Sequence, residues 1–212
     1  MGKINQGILG GFSGKVGTVI GGSWKGITYM RAKAVSIADP KTEAQLSQRA
    51  KFALVLRFLQ PCTDYVRTGY KNYAIKQSAF NAATSYTLAN AVTGTYPTFG
   101  IDPSKVMLSR GALTVASNVQ AALSGNLLKI TWDDNSGMAS ARNTDKALAI
   151  AVNPDNSEAV YRIGGTTRDS GEESLTIPGD WTGDTVEVYL GFISADGKEV
   201  SNSVYAGLVV IP

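Results

Sequence analysis

Residues 185–193 read Thr185-Val186-Glu187-Val188-Tyr189-Leu190-Gly191-Phe192-Ile193, and their period of two decides the fold class. Successive side chains of a strand point to opposite faces, so Val186, Val188, Leu190 and Phe192 line one face and leave Glu187 and Tyr189 on the other. Upstream, Leu127–Trp132 repeats the pattern, with Leu128, Ile130 and Trp132 pointing inward. Further short runs at Val106–Ser109, Leu113–Ser117, Ala147–Val152, Ala159–Ile163, Ser174–Ile177 and Val200–Ile211 are separated by turn residues such as Asn153-Pro154-Asp155-Asn156, Pro178-Gly179-Asp180 and Asp196-Gly197. Strands at this spacing, with no helical periodicity between them, predict an antiparallel β-sandwich over residues 104–212.

Working back from the sandwich, Gly94, Pro97, Gly100 and Pro103 read as a connecting loop. Before it the period becomes helical. Asp39 and Pro40 suit an N-cap and first helical position, with Thr42-x-x-Gln45 as a second start signal. Leu46, Ala50, Ala53, Leu54 and Phe58 fall on one face, and Phe52, Val55, Leu56 and Leu59 cover much of the other, so the second half is expected to be buried nearly all round. Pro61 ends this helix, and residues 62–74 and 77–92 read as two further helical pieces.

The front of the chain is glycine-rich, with nine glycines among the first 26 residues. Gly14–Ile20 alternates with β-branched residues, Gly21-Gly22 is a two-residue turn signal, and Ser23–Arg31 resumes with aromatics, which predicts a β-hairpin over residues 14–34. A lone hairpin is marginal in water and needs a sheet, a helix or another subunit to lie against. Residues 1–13 form a glycine-rich arm whose Ile4, Ile8, Leu9 and Phe12 have too little chain around them to make a core. The expected architecture is therefore α+β: an arm (1–13), an N-terminal β-hairpin (14–34), a short helical bundle with its loop (35–103) and a C-terminal β-sandwich (104–212).

Composition excludes more function than it suggests. The 212 residues contain no histidine and one cysteine, Cys62. A metal site built on imidazole or several thiolates is therefore excluded within one chain, as are Ser-His-Asp and Cys-His nucleophiles. Cys62, beside Pro61 in an apolar stretch, reads as a small buried hydrophobe. A single cysteine makes no intramolecular disulfide. No secretory signal, lipidation motif or glycosylation sequon is visible, and Phe52–Leu59, broken by Arg57, is far short of the ~20 residues of a membrane span. No cofactor, metal, catalytic residue or membrane insertion is expected.

Several motifs fail on their own chemistry. Gly14-Lys15 lacks the glycine a phosphate loop needs at position 9, and Val16 stands where a magnesium-binding Ser or Thr belongs. Asp133, Asn135 and Gly137 suggest a calcium loop, but the glycine falls one position early and Thr144 replaces the bidentate glutamate, so a strand-connecting turn is the better reading. Glu172-Glu173, adjacent in a strand, point to opposite faces.

Charge is divided along the chain. Residues 1–75 hold eleven Lys and Arg against three Asp and Glu, and residues 76–212 hold nine against fourteen. Such asymmetry suits head-to-tail association between copies, or a polyanion met by the front half. The candidate polyanion contacts are Lys25, Arg31, Lys33, Arg49 and Lys51, interleaved with aromatics that could stack bases. The candidate hairpin contacts with a neighbouring subunit are Val16, Ile20, Trp24 and Tyr29.

Two resemblances follow. Through Ile130-Thr131-Trp132, Leu175-Thr176-Ile177-Pro178 leading into Thr185–Tyr189, and the last strand after Asp196-Gly197, the C-terminal region resembles fibronectin type III and related immunoglobulin-like modules. That resemblance implies a binding or spacer module. Through Gln6–Gly17, Gly22-Ser23-Trp24-Lys25-Gly26, Thr42–Phe52 and Phe80-Asn81-Ala82-Ala83, the whole chain resembles an uncharacterised family common in Bacteroidota, a domain of unknown function with no established activity. The front segment also resembles leading segments of phage-type structural proteins. Together these imply a non-enzymatic, self-associating subunit of a filament, lattice or phage-like particle, with a nucleic-acid-associated protein as the alternative.

Overall fold

The computed structural model describes residues 2–4, 10–24, 26–36 and 39–212. The chain divides into two compact units, residues 1–42 and 43–212. It is mixed α+β and mostly strand, with antiparallel strand pairing throughout the described sheets. The first unit carries β1 (Lys3–Ile4), β2 (Phe12–Val16), β3 (Val19–Trp24) and β4 (Ile27–Ala32) in one sheet of order β1-β2-β3-β4.

The second unit begins with α1 (Glu43–Leu59), α2 (Thr63–Gly69) and α3 (Ala79–Asn90), the last capped by Ser78, whose hydroxyl accepts from the Asn81 N–H at 3.1 Å. Helix α1 starts directly after Thr42, so the second start signal marks the boundary and Asp39-Pro40 lies outside the helix. Its burial is one-sided: Val55, Phe58 and Leu59 are buried while Phe52 and Ala53 are exposed, which corrects the expectation of burial all round. The expected loop after α3 is instead a hairpin, β5 (Val92–Thr95) and β6 (Thr98–Ile101). Its short strands are hidden in the sequence by Gly94, Pro97 and Gly100, which are turn residues by composition.

Seven strands follow: β7 (Ser117–Ser124), β8 (Leu127–Asp133), β9 (Lys146–Asn153), β10 (Glu158–Thr167), β11 (Glu172–Thr176), β12 (Thr185–Ile193) and β13 (Val204–Val210). They form two sheets, β10-β9-β12-β13 and β11-β8-β7. Leu128, Ile130 and Trp132 of β8 meet Ala147, Ala149 and Ala151 of β9 and Val186, Val188, Leu190 and Phe192 of β12 in one core. Two expected strands are not strands. Val106–Ser109 runs without ladder pairing, and Leu113 makes only an isolated bridge to Ser201. The missed first strand, β7, alternates half-buried small or apolar residues with exposed polar ones, a weaker signal than the Leu and Val runs.

The four-stranded sheet is buried on both faces. On its second face Leu148, Ile150, Val152 and Tyr189 pack with Val55, Phe58, Leu59, Cys62, Tyr65 and Val66 of the helical layer. Thus β9 turns its alanines toward the bulky residues of the facing sheet and its larger side chains toward the helices. Tyrosine hydroxyls fix the helical layer: Tyr65 donates to the Leu148 carbonyl, Tyr70 to that of Met107 and Tyr189 to that of Pro103, each at 2.9 Å. The expected boundary at residues 94–103 therefore falls inside the second unit.

At one end of the sandwich a buried cation joins distant segments. The Arg168 and Asp145 side chains are both fully buried and meet at 3.1 Å through Nε and Oδ2. Arg168 also donates to Asn135 Oδ1 at 2.7 Å and to the Thr114 carbonyl at 2.9 Å, and its guanidinium lies 3.8 Å from the centre of the Phe192 ring. Breaking a buried ion pair by removing one partner leaves an uncompensated charge, which costs about 3–5 kcal/mol. Arg168→Ala is therefore expected to lower unfolding stability by about that amount in a denaturant titration; a loss below ~1 kcal/mol would show that the pair holds nothing together.

Candidate assembly surface

The sheet of the first unit is organised by glycine. Gly17-Thr18 and Gly26 lie in the turns, with Gly17 and Gly26 at φ +57° and +85°, a region that costs other residues strain. The Gly21-Gly22 pair lies inside β3 rather than at the expected turn. A Cβ on Gly21 would stand 2.2 Å from the Phe12 carbonyl and 2.8 Å from its ring; one on Gly22 would stand 3.1 Å from the Tyr29 ring. These glycines are needed for close approach of aromatic side chains, and that signal reads in sequence like a hairpin turn.

Register divides the sheet chemically. Lys15 pairs with Ile20 and Ile20 with Arg31; Val16 pairs with Val19 and Val19 with Ala32; Gly21 pairs with Met30 and Gly22 with Tyr29. Alternation then puts Lys15, Ile20, Gly22, Trp24, Ile27, Tyr29 and Arg31 on one face of β2–β4. The other face holds Gly14, Val16, Val19, Gly21, Ser23, Thr28, Met30 and Ala32, with no charge among them. Only Gly21 is fully buried. Val16 is 51% exposed and Met30 71%, so the uncharged face meets solvent. All six residues of β4 are exposed, and it forms an edge of the sheet.

The expected site residues are distributed as follows. In the arm, Phe12 lies against Gly21, Ile4 pairs through its backbone with Phe12, and Ile8 and Leu9 lie outside the described residues. Of the hairpin contacts, Val16 occupies the uncharged face, and Ile20, Trp24 and Tyr29 share the other. The polyanion candidates are shared between the two units. Arg31 is on β4, Lys33 donates its backbone N–H to the Thr18 carbonyl at 2.7 Å, and Lys25 lies outside the described residues. Arg49 and Lys51 belong to α1 in the second unit, where Lys51 Nζ sits 4.9 Å from the centre of the Phe99 ring. That Lys15 and Arg31 flank Ile20 on one face was missed because it depends on where the turns fall.

Cys62, Asn135 and Glu173 are buried. Burial pushes the Cys62 thiol up to about 12, so it is no nucleophile at neutral pH. Glu173 is buried and accepts the N–H groups of Thr166 and Ser174, whereas Glu172 pairs with Lys129 at the surface. Asn135, in the turn that suggested calcium, is engaged with Val115 and Arg168. Among the described residues no three His, Cys, Asp or Glu side chains are grouped to hold a metal, and no helix is long and apolar enough to cross a membrane.

The model of a family of unknown function, DUF6266, matches residues 11–207, and the chain belongs to that family. No curated protein and no solved structure matches it.

Because Gly21 is seated beneath Phe12, Gly21→Val is expected to expel Phe12 and open the pairing of β2 with β3. Amide exchange of Val16 and Val19 should accelerate roughly tenfold or more, while the thermal transition of the second unit stays unchanged. Unaltered protection would mean that the close approach is dispensable.

Proposed function

We propose that this member of the family is a non-enzymatic structural subunit that self-associates through the sheet of its first unit and carries the sandwich as a binding or spacer module. The observation that carries this reading is the uncharged face of β2–β4, with Val16 and Met30 exposed on a sheet whose described strand residues, Gly21 apart, are not buried. Contiguous apolar surface of this kind marks interaction sites, and an exposed edge such as β4 offers backbone groups for strand addition. A second copy is the occupant we favour, because the excess of cations before residue 76 and of anions after it suits head-to-tail contact. We read the sandwich as fibronectin type III-like: sheets of three and four antiparallel strands, in the orders β11-β8-β7 and β10-β9-β12-β13, support that assignment.

A second reading, a nucleic-acid-associated protein, is favoured by the opposite face, where Lys15 and Arg31 flank Ile20 on the side that carries Trp24 and Tyr29. It requires binding that weakens steeply with salt and declines in Lys15→Ala/Arg31→Ala.

Light scattering of the full chain separates these readings. Self-association gives a mass that is a multiple of 22.3 kDa, and Val16→Asp/Met30→Asp, which places charge on the uncharged face, is expected to return it to monomer with its second unit still folded. A wild-type monomer at all concentrations, or an assembled double variant, would defeat the assembly reading.

A further inference from the structure

A cavity of about 280 Å³ opens between α1 and the four-stranded sheet, at the end where β9 passes into β10. Most of its wall is apolar, built from Leu54, Phe58, Ile101, Pro103 and Pro154. Glu187 also lines it, on the same face of β12 as Tyr189, the face that turns toward the helices, and this carboxylate residue is only 7% exposed. Tyr205 donates its hydroxyl to Glu187 Oε2 at 2.5 Å. That hydroxyl stays protonated, because burial and the carboxylate beside it both raise its pKa.

The second oxygen, Oε1, has no hydrogen-bond partner among the described residues, yet it is not sealed from solvent as the unpartnered Ser136 Oγ and Asp145 Oδ1 are. It therefore keeps accessible surface on a residue that lines the cavity. Among the described residues Glu187 also forms no ion pair. Buried carboxylates are as a rule paired with a cation, and this one has only a neutral hydroxyl.

We infer that this cavity binds a primary alkylammonium, whose N–H donates to Glu187 Oε1 while its carbon chain lies against Leu54, Phe58 and Ile101. The sign of the charge follows from the wall. Arg57, the cation present there, is held at the rim, with Nε donating to Ser157 Oγ at 3.0 Å and Nη2 to the Asp155 carbonyl at 3.3 Å. Two carboxylates, Glu187 and the exposed Asp155, stand against this one guanidinium, so an anion meets the wrong field. The kind of cation follows from the acceptor. A guanidinium makes its best contact by engaging both oxygens of a carboxylate, and Tyr205 already occupies one; an ammonium is a point charge that needs only the other. The apolar wall adds the carbon chain, and a volume at the small end of ligand pockets suits a chain of a few carbons. The cavity lies wholly in the second unit and does not depend on the assembly reading.

Saturation-transfer NMR on the full chain tests this, because it reports binding to monomers and large assemblies alike. The probes are n-butylammonium, its uncharged and anionic counterparts n-butanol and butyrate, and Nα-acetyl-lysine N-methylamide, which presents the same group as a protein side chain does. Saturable transfer to n-butylammonium is expected, exceeding that to n-butanol and butyrate. Glu187→Gln, which keeps an acceptor for Tyr205, should weaken it roughly tenfold or more. Leu54→Trp, which fills the apolar wall, should do the same by bulk, whereas Asp155→Asn should change it less than about fivefold, as exposed charges do. Transfer to the lysine amide as well assigns the cavity to side chains in addition to free amines, and transfer to n-butylammonium alone assigns it to free amines; both uphold the ammonium site. No saturable transfer to n-butylammonium, an equal response to n-butanol, a larger loss in Asp155→Asn than in Glu187→Gln, or binding that survives Glu187→Gln (or Leu54→Trp, where Glu187→Gln does not fold) would overturn the inference and leave Glu187 as a partner of Tyr205 alone.

Discussion

The second unit depends on one constraint: the sheet β10-β9-β12-β13 is buried on both faces. Strand β9 meets it with alanines at 147, 149 and 151 and with Leu148, Ile150 and Val152 between them. A close-packed interior feels a change of one methylene, so the alternation of small and large decides which layer lies on which face. The bulky face needs a cover deep enough to hide it, and α1 and α2 supply one through Val55, Phe58, Leu59 and Tyr65. The helices are therefore part of the sandwich's stability, and a sandwich without them would show water a row of Leu, Ile and Val.

Covering both faces leaves the sheet ends as the places where polar chemistry can reach solvent. At one end, Arg168 ties Asp145, Asn135, Thr114 and Phe192 together beneath the surface. Buried ion pairs are costly to assemble and costly to break. Here the pair joins the β10–β11 connection to the β8–β9 connection and to the segment before β7. Arg168 and the Arg142 N–H both occupy one oxygen of Asp145 and leave the other without a partner.

Much of this architecture was legible in the sequence where burial is strong. Strands β8, β9 and β12 follow directly from Leu128-Lys129-Ile130, the apolar run 147–152 and the alternation 186–192, and the helical pieces follow from spacing and capping. Legibility failed where side chains are small or where glycine has two meanings. Strand β7 is spelled with Ser, Asn, Gln and Ala. The hairpin β5–β6 is disguised by Gly and Pro, and Gly21-Gly22 serves close packing under Phe12 and Tyr29 instead of a turn. Moving those turns changes every cross-strand partner, so the placing of Lys15 and Arg31 on either side of Ile20 and the uncharged opposite face could not be read from composition. The Arg168–Asp145 pair is 23 residues apart and carries no local signal at all.

The two units also differ in what holds them. In residues 43–212 apolar area is hidden by layers of the same chain, and the buried Arg168, Asn135 and Glu173 side chains are hydrogen-bonded within it. In the first unit, glycines at 21 and 22 let backbone and aromatic rings come close, but that packing buries little, since apart from Gly21 its described strand residues retain solvent exposure. Hydrophobic stabilisation scales with area removed from water, at about 25 cal/mol per Å². A sheet that removes so little has its largest remaining gain available through contact with something outside itself. Charge limits which contact that is: the face bearing Lys15 and Arg31 resists a second copy of itself, whereas the face bearing Val16, Val19 and Met30 has no such repulsion. On this reasoning the proposed assembly uses the uncharged face.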